Sequence, residues 1–289
     1  MSKASKGLWA AWIIILVAVA GGSFYLGRYT APQVQKLESI TFVLNWAISG
    51  EQAGIVVAVD EGFYADEGLA VTILRGFGST DTSKRVFAGE GEFGFVDTVA
   101  MIKARAEGIK LKQIGMGYHL SPVGLFGLPG VGPTTVDEIR GKTIGCTSGS
   151  TDTIQFEIVC ALNNIDVDTE VDRIWLAPPA KVPAVLSDEV DGVSGYDTGE
   201  GAQIAFGADI AWADVTKLMY RDCGVDTYGN GLVATESYIE DNPDVVERFV
   251  RATMKGWTYA IENPEEAVDI VVKMFPELEE ESVALEWDI

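Results

Sequence analysis

Segments with the pattern of β-strands and segments with the pattern of α-helices alternate along most of this chain. The strand-like stretch ITFVLNW (40–46) is followed by a helical pattern over 53–68 and by a second strand-like stretch, LAVTILRG (69–76). A helical pattern at 80–91 and a strand-like pattern at 93–97 continue the series. This alternation predicts parallel sheets covered by helices, because each helix carries the chain back to the start of the next strand.

A stretch rich in glycine and proline interrupts the alternation near the middle of the chain. SPVGLFGLPGVGP (121–133) has no helical period and is interpreted as a crossover between two lobes. A second alternation runs over 134–196, and the chain returns at 226–239 before it ends in helices. The predicted fold class is α/β with two lobes, each a mainly parallel sheet flanked by helices, with a ligand cleft between them. The predicted domains are lobe 1 at 33–118 plus 232–289 and lobe 2 at 119–231.

The first 32 residues have the layout of an export signal. Lys3 and Lys6 precede an apolar run at 8–20, and small residues follow at 21–23. A cleaved signal peptide and an uncleaved membrane anchor share this layout, so both interpretations of 1–32 stay open. Either one predicts that the rest of the chain is exported, to the periplasm or to the outer face of the cytoplasmic membrane.

Charge and metal-ligand content exclude several classes of function. The formal net charge of −22 disfavours nucleic acid as a partner, because its phosphates repel an acidic surface. His119 is the only histidine, and the three cysteines, Cys146, Cys160 and Cys223, have no metal-ligand spacing. The sequence therefore predicts no metal site, no cofactor and no catalytic triad.

The loop TSGST (147–151) joins a predicted strand to a predicted helix and is a candidate for ligand contact. It lacks the lysine of a triphosphate-binding loop, so the motif does not predict nucleotide hydrolysis. Free backbone N–H groups at the helix start, together with the hydroxyls of Ser148, Ser150 and Thr151, suit a polar group of a small ligand. The alternative is that Ser150 or Thr151 only caps the helix.

Other candidates follow the carboxyl ends of predicted strands, where open α/β sheets bind ligands. Trp46 can stack on a planar ring and Asn45 can hydrogen-bond ring nitrogens; a core position and a turn position are the alternatives. Asp97, followed by Thr98, can accept a hydrogen bond from an amine or ring N–H of a ligand. Capping of the next helix is the alternative role for Asp97.

Five further polar or aromatic side chains are candidates of the same kind. Tyr118 and Tyr196 can cover the opposite face of a ring. Asp197 and Glu200 lie on a glycine-rich loop and fit an amine-bearing ligand, with helix capping as the alternative. Glu157, two turns into the helix after TSGST, points either to the cleft or to solvent.

The order of these segments resembles the periplasmic substrate-binding proteins of ABC transporters, in the group that binds thiamine pyrimidine precursors, sulfonates such as taurine, and nitrate. The resemblance is carried by 45–71, 86–97, 136–151 and 242–271, and it covers nearly all of the chain from about residue 40. The Asn-Trp pair after the first strand and a Lys-Gly-Trp helix near the end resemble the thiamine-precursor (hydroxymethylpyrimidine) branch most. The resemblance implies a type II-like periplasmic binding protein fold.

The resemblance also implies a function and partners. It implies an extracytoplasmic, monomeric binding component that delivers a small heterocycle to an ABC permease with its ATPase subunits, and that contacts the membrane only through an uncleaved N-terminal helix. The alternatives are a binder of a sulfonate, taurine or nitrate, a riboflavin binder and, from another class, a pyrimidine-precursor synthase of thiamine biosynthesis.

The synthase alternative bears on whether the chain catalyses a reaction. The synthases in the thiamine-precursor branch use a cysteine-rich motif and a histidine. This chain has no run of adjacent cysteines. The expectation is therefore that it is not an enzyme. A second expectation is that a final element of lobe 1 is missing, because relatives run on beyond the helical pattern that closes this sequence.

Overall fold

The structure is a computed structural model and describes residues 36–289. The predicted signal peptide or membrane anchor at 1–32 lies outside the described residues. Within the described part, no helix is both long enough and apolar enough to cross a membrane. Residues 37–289 form one compact unit that contains two five-stranded sheets.

The first sheet brings together strands from both ends of the described chain. Its strands are β1 (Glu38–Val43), β2 (Leu69–Leu74), β3 (Phe93–Asp97), β4 (Leu111–Met116) and β10 (Asn230–Thr235). The order is β2-β1-β3-β10-β4, with β1 parallel to β2 and β3 and with β10 antiparallel to β3 and β4. The chain therefore leaves this sheet after β4 and returns to its middle at β10.

The second sheet is built from the chain between these two crossings. Its strands are β5 (Val123–Gly127), β6 (Thr143–Cys146), β7 (Asp172–Trp175), β8 (Gly192–Tyr196) and β9 (Thr216–Met219). The order is β7-β6-β8-β5-β9, with β6 parallel to β7 and β8 and with β5 antiparallel to β8 and β9. In each sheet a single strand opposes the others, so both sheets are mainly parallel.

Helices flank both sheets. In chain order they are α1 (Ala53–Asp60), α2 (Phe63–Asp66), α3 (Ser79–Phe87), α4 (Thr98–Ala106), α5 (Thr151–Leu162), α6 (Lys181–Leu186), α7 (Ala202–Ala208), α8 (Glu236–Asp241), α9 (Pro243–Glu262), α10 (Pro264–Met274) and α11 (Glu280–Asp288). Short 3₁₀ turns lie at Gly50–Gln52, Val136–Ile139, Pro178–Ala180, Trp212–Asp214 and Tyr220–Cys223, and a π-helical turn lies at Asp197–Gly201. These elements confirm the predicted two-lobed α/β class, whereas the lobe boundaries stay a prediction.

Helix α9 closes the core of the first lobe with one aromatic ring. Phe249 stacks on Phe93 with ring centroids 3.8 Å apart and meets Phe42 edge-on at 5.0 Å. The buried side chains of α9 recur at helical spacing and face α1 and the first sheet: Val245, Phe249, Ala252, Thr253, Gly256 and Ala260. The sequence pattern predicted this helix for the same reason.

The crossover predicted at 121–133 is wrong in part, because Val123–Gly127 forms the strand β5. All residues of β5 are buried, and a strand that is buried on both faces has no alternation of polar and apolar residues. The segment that links the sheets is shorter and runs over 117–122. Between β5 and β6 the chain forms only the 3₁₀ turn Val136–Ile139.

Helix α3 begins one residue before the helical pattern at 80–91 and ends four residues before the end of that pattern. The helix begins at Ser79, and Gly78 occupies the N-cap position with φ at 108°, a region that favours glycine. The hydroxyl of the buried Ser79 accepts a hydrogen bond from the backbone N–H of Asp97 at 3.0 Å. This contact fixes the end of β3, where Asp97 lies.

Candidate ligand-binding site

Elements that follow strands of the two lobes meet at one place. The Gly50–Gln52 turn, after β1, contacts the Asp197–Gly201 turn, after β8. Helix α4, after β3, contacts α5, after β6. All of them start at carboxyl ends of strands, which is where open α/β sheets bind ligands.

Glu51 is a buried carboxylate at this meeting point, and the sequence reading missed it. Ser49 caps the turn by accepting a hydrogen bond from the Glu51 backbone N–H, and the turn leaves Glu51 only 8% exposed. Its Oε1 accepts from Asn45 Nδ2 at 3.2 Å and from Asn230 Nδ2 at 2.8 Å. The side chain of the predicted candidate Asn45 therefore donates a hydrogen bond to a buried carboxylate.

The charge of Glu51 has no basic counterpart among the groups that act on it in the described structure. Burial raises the pKa of Glu51 to about 7, the two amide donors oppose this, and the carboxylates of Glu286 and Asp197 raise the pKa further. A buried carboxylate that is stabilised only by neutral amides holds its proton near neutral pH. It therefore favours any group that brings positive charge or N–H donors to it.

Asn230 adds a second acceptor beside Glu51. It starts β10, is fully buried, and lies opposite Asp97 in the antiparallel ladder with β3. Its Nδ2 donates to Glu51, whereas its Oδ1 is buried with no hydrogen-bond partner among residues 36–289. A buried acceptor left unpaired costs about 1–3 kcal/mol, so a ligand that donates here is favoured.

Asp97 performs the capping role that was one of its two predicted roles. Its Oδ1 accepts from the backbone N–H groups of Val99 at 2.8 Å and Ala100 at 3.3 Å. Its Oδ2 accepts from Gln155 Nε2 on helix α5 at 3.5 Å, across the boundary between the sheets. Burial raises the pKa of Asp97 to about 6 against these donors. Thr98 is buried beside it and donates to the Gly229 carbonyl at 2.9 Å.

Several hydrogen-bonding groups of the TSGST loop are paired with the loop itself or with the helix that follows it. Ser150 Oγ caps α5 by accepting from Thr153 N at 3.4 Å, and it lies 2.9 Å from the Thr147 carbonyl. Thr151 is buried, and Ser148 is exposed. The capping alternative is therefore present in the structure, and ligand contact by this loop stays a prediction.

Lys181, which was not among the predicted site residues, binds two buried carboxylates of the second lobe. Lys181 is only 2% exposed, and its Nζ donates to Asp152 Oδ2 at 3.1 Å, Glu200 Oε1 at 2.7 Å and the Ser194 carbonyl at 2.8 Å. Burial alone would lower the pKa of Lys181, but the two carboxylates outweigh it and raise that pKa. Burial likewise opposes ionisation of Glu200, and Lys181 overrides it and lowers the Glu200 pKa.

Asp197 and Tyr196 face the first lobe from the end of β8. Burial raises the pKa of Asp197 to about 6, although its own turn and the cations of Arg221 and Lys217 act the other way. Burial, followed by the charges of Asp97 and Glu51 and then of lobe-2 acids, raises the pKa of Tyr196. Tyr196 therefore lies among carboxylates of both lobes.

The remaining candidates differ in how they relate to the cluster of buried carboxylates formed by Glu51, Asp97 and Asp197. The Tyr118 hydroxyl donates to the Glu51 carbonyl at 2.8 Å, and its ring meets Trp257 edge-on at 5.8 Å. Trp46 follows β1 and is 37% exposed. Glu157 does not join the cluster, because its carboxylate accepts from Arg173 at 2.8 Å on an exposed face.

The residues that the sequence reading missed had a weak signal. Glu51 and Asn230 are polar residues inside otherwise buried stretches, whereas Lys181 is a buried residue between partly exposed ones. Their partners lie far away along the chain, 179 residues for the Asn230–Glu51 contact and 29 for the Lys181–Asp152 contact. A pattern read within one segment does not bring such partners together.

The chain is similar to proteins named for two kinds of activity. It is 26% identical to the riboflavin-binding protein RibY of Chloroflexus aurantiacus over 265 residues, which cover 90% of this chain and 73% of that protein. It is 25% identical to the 4-amino-5-hydroxymethyl-2-methylpyrimidine phosphate synthase of Legionella pneumophila over 240 residues, 83% of this chain and 74% of that protein. It is 25% identical to the formylaminopyrimidine-binding protein of Halalkalibacterium halodurans over 285 residues, 89% of this chain and 79% of that protein.

Three solved structures with the same fold are named as binding proteins. The periplasmic aliphatic sulphonate binding protein SsuA of Escherichia coli matches with a TM-score of 0.70 and 15% identity over 87% of this chain and 83% of its own. A ligand-binding component of an ABC-type import system from Staphylococcus aureus matches with a TM-score of 0.64 and 15% identity, covering 87% and 84%. The periplasmic nitrate-binding protein NrtA of Synechocystis PCC 6803 matches with a TM-score of 0.61 and 13% identity, covering 86% and 69%. These matches confirm the predicted periplasmic binding protein fold.

The expectation that the chain is not an enzyme is contradicted by its relatives. Besides the Legionella protein, proteins from Candida albicans and Aspergillus parasiticus at 23% and 22% identity carry the same synthase name. The absence of adjacent cysteines was the ground for that expectation, but relatives named as enzymes and relatives named as binding proteins both match most of this chain. Similarity to this group therefore does not exclude catalysis.

One family description covers both kinds of relative. The family described as "NMT1/THI5 like" matches residues 49–267, which is more than half of the chain and includes Glu51, Asp97, Lys181 and Asn230. The predicted resemblance to thiamine-precursor, sulfonate and nitrate binders is confirmed by this match together with the relatives and structures above. The chain belongs to the NMT1/THI5 like family.

Proposed function

We propose that this protein is the extracytoplasmic binding component of an importer, and that it holds a small nitrogen heterocycle with N–H donors between its two lobes. The observation that carries the proposal is the pair of buried acceptors in the first lobe, the Glu51 carboxylate and the unpartnered Asn230 Oδ1. Amine-bearing pyrimidines, such as a thiamine pyrimidine precursor, present donors of this kind.

A ligand with donors suits this site better than a small anion. Hydrogen bonds to a charged group contribute about 1.5–3 kcal/mol each, and a donor edge can satisfy Glu51 and Asn230 together. A sulfonate or nitrate would add negative charge next to Glu51, Asp97 and Asp197. Lys181 offers it little, because its ammonium already contacts Asp152 and Glu200.

The proposed ligand contacts extend beyond these two acceptors. Trp46 and Tyr196 would cover the faces of the ring, since aromatic side chains favour planar ligands. The proposed contact residues are Asn45, Trp46, Glu51, Asp97, Thr98, Tyr118, Ser148, Ser150, Thr151, Tyr196, Asp197, Glu200 and Asn230. Glu157 is left out of this set because it is paired with Arg173.

The transport role rests on the sequence of the N-terminal segment and on the names of the structural neighbours. Export follows from the signal-like layout of 1–32, and the neighbours are named as periplasmic or ABC-import binding proteins. The proposed partners are an ABC permease with its ATPase subunits. The proposed lobes are 33–118 plus 232–289 and 119–231, which move about the crossings between the sheets.

Two other functions are supported by named relatives. Riboflavin is the second ligand candidate, because the relative RibY is named for it and a flavin also has a planar ring. Synthesis of a pyrimidine phosphate is the candidate from another class, because several relatives are named as that synthase. Both candidates would use the same cleft.

Native mass spectrometry of the purified protein tests these alternatives directly. Protein from about residue 33 onward is measured as isolated, then stripped by refolding and titrated with an aminopyrimidine, riboflavin, taurine and nitrate, each compound being recovered afterwards. The proposal expects one bound aminopyrimidine that is recovered unchanged. Binding of taurine or nitrate alone would overturn it, and a pyrimidine phosphate bound to the protein as isolated would favour the synthase.

A further inference from the structure

Helix α11 (Glu280–Asp288) contacts both lobes. On the side of the first lobe it contacts helix α10 and the Gly50–Gln52 turn. On the side of the second lobe it contacts helix α7 and the Asp197–Gly201 turn. When two lobes separate, a helix that packs on both must lose its contacts on one side.

Neighbouring side chains of α11 enter the cores of different lobes. Val283 is buried in the core of the first lobe, against which Ala284 and Trp287 also pack. Leu285 packs instead against the second-lobe core that contains Phe126. The Trp287 ring lies 5.9 Å from that of Trp257, which strengthens the attachment to the first lobe.

Glu286 lies at the boundary between the two lobes. It is only 4% exposed, and its Oε2 accepts from the Gly50 backbone N–H at 2.9 Å. Burial raises the pKa of Glu286, whereas the Gly50 backbone N–H and the side chains of Ser49 in the first lobe and Gln203 on α7 in the second lower it. Polar groups of both lobes therefore lie close to this one carboxylate.

Gly50 permits an unusually close approach of α11 to the first lobe. A Cβ atom at Gly50 would lie 2.4 Å from the Val283 carbonyl oxygen and 2.8 Å from Glu286 Cβ. These contacts are shorter than atoms can tolerate, so only glycine fits here. The first-lobe side is thus the firmer of the two attachments, with backbone contact, Val283 and Trp287, whereas the second-lobe side has Leu285 and Gln203.

We propose that α11 is an interlobe latch, which stays on the first lobe and releases Leu285 and Gln203 from the second lobe when the cleft opens. The latch packs against the Gly50–Gln52 turn that carries Glu51. In this proposal it stabilises the closed position of the two lobes from outside the ligand cleft. The proposal does not depend on which ligand the cleft takes.

Distance measurements in the ligand-free protein test the latch. Spin labels at Lys84→Cys and Glu189→Cys, two exposed positions on different lobes, report the ratio of open to closed molecules. Leu285→Ala should raise this ratio about tenfold, because it removes much of the apolar contact with the second lobe. Gln203→Ala should raise it about threefold, because the variant removes a polar side chain that lies close to the Glu286 carboxylate.

A matched variant separates the latch from general destabilisation. Glu281→Gln changes an exposed residue of the same helix and should leave the distance distribution unchanged. If Leu285→Ala does not fold, Gln203→Ala still tests the proposal, since that side chain is exposed. Distance distributions for Leu285→Ala and Gln203→Ala that match the Glu281→Gln distribution would overturn the latch.

Discussion

Two groups of buried acids, one in each lobe, are stabilised in opposite ways. In the second lobe, Asp152 and Glu200 share the ammonium of Lys181, and the pKa of Glu200 is lowered although it is buried. In the first lobe, Glu51 contacts only the amides of Asn45 and Asn230, and its pKa rises to about 7. The negative charge of a buried glutamate is therefore balanced by a cation at Glu200 in the second lobe and is not balanced at Glu51 in the first.

This difference separates a structural role from a binding role. Buried charges in proteins are paired, because an isolated charge is costly in a medium of low dielectric constant. The Asp152–Lys181–Glu200 group obeys this rule within the chain, and it fixes the end of β8, where Tyr196 N donates to Glu200 Oε2 at 3.1 Å. The group around Glu51 obeys it only when something other than the described residues 36–289 contributes donors or positive charge.

Removal of the lysine should have the largest effect. Lys181→Met leaves two buried carboxylates without their cation, and it should lower the free energy of unfolding by about 3–5 kcal/mol at pH 8, measured by urea denaturation. Lys273→Met is the control, because its ion pair with Asp60 lies at the surface and should contribute less than about 1 kcal/mol. Equal effects of the two variants would contradict the assignment of Lys181.

The corresponding change in the first lobe should act in the opposite direction. Glu51→Gln keeps an acceptor for the two amides, removes a charge that burial disfavours, and can donate to Asn230 Oδ1. We expect the free energy of unfolding of the ligand-free protein to rise by about 2–3 kcal/mol at pH 8, from the shift of the Glu51 pKa. A fall of similar size would mean that Glu51 is satisfied within the chain.

The dependence of stability on pH should have the sign set by raised carboxylate pKa values. The pKa of Glu51 rises from its ordinary value of 4.5 in the unfolded chain to about 7 in the native state, so the native state binds more protons between these values. The contribution of protonated Glu51 to the free energy of unfolding is fully present below pH 4.5 and is lost as the pH rises through about 7. Asp97 and Asp197 act likewise between 3.8 and about 6. Calorimetric melting from pH 4.5 to 8 should find a shallower loss of stability in Glu51→Gln than in the parent protein, and equal slopes would contradict this.

The smallest effect on folding is expected from the aromatic candidate. Trp46→Ala changes an exposed side chain and should alter the free energy of unfolding by no more than about 0.5 kcal/mol. If Trp46 stacks on the ligand ring, the same variant should weaken ligand binding about tenfold in calorimetric titration. Unchanged affinity would remove Trp46 from the proposed site.

Local pattern predicted the fold better than the site. The helix α9 and the strand β1 were predicted because their periodicities reflect burial on one face. Strand β5 was missed because it is buried on both faces, and its glycines resemble a loop.

The site was predicted only where one segment contained the whole signal. Asp97 and Asp197 stand directly at strand ends, so their positions follow from the sequence pattern. Glu51 and Lys181 owe their roles to partners from other segments, Asn230 and Asp152, and no pattern within 50–52 or 181–186 indicates those partners.

The affinity of an amine-bearing pyrimidine for three matched proteins tests the central claim most directly. The parent protein, Glu51→Gln and the control Glu157→Gln would be titrated at pH 8 under identical conditions. The account predicts that Glu51→Gln loses at least about 100-fold in affinity, since a ligand donor loses its charged acceptor, while Glu157→Gln binds as the parent does. Equal affinity of all three proteins would contradict the claim that the uncompensated carboxylate of the first lobe recognises the ligand.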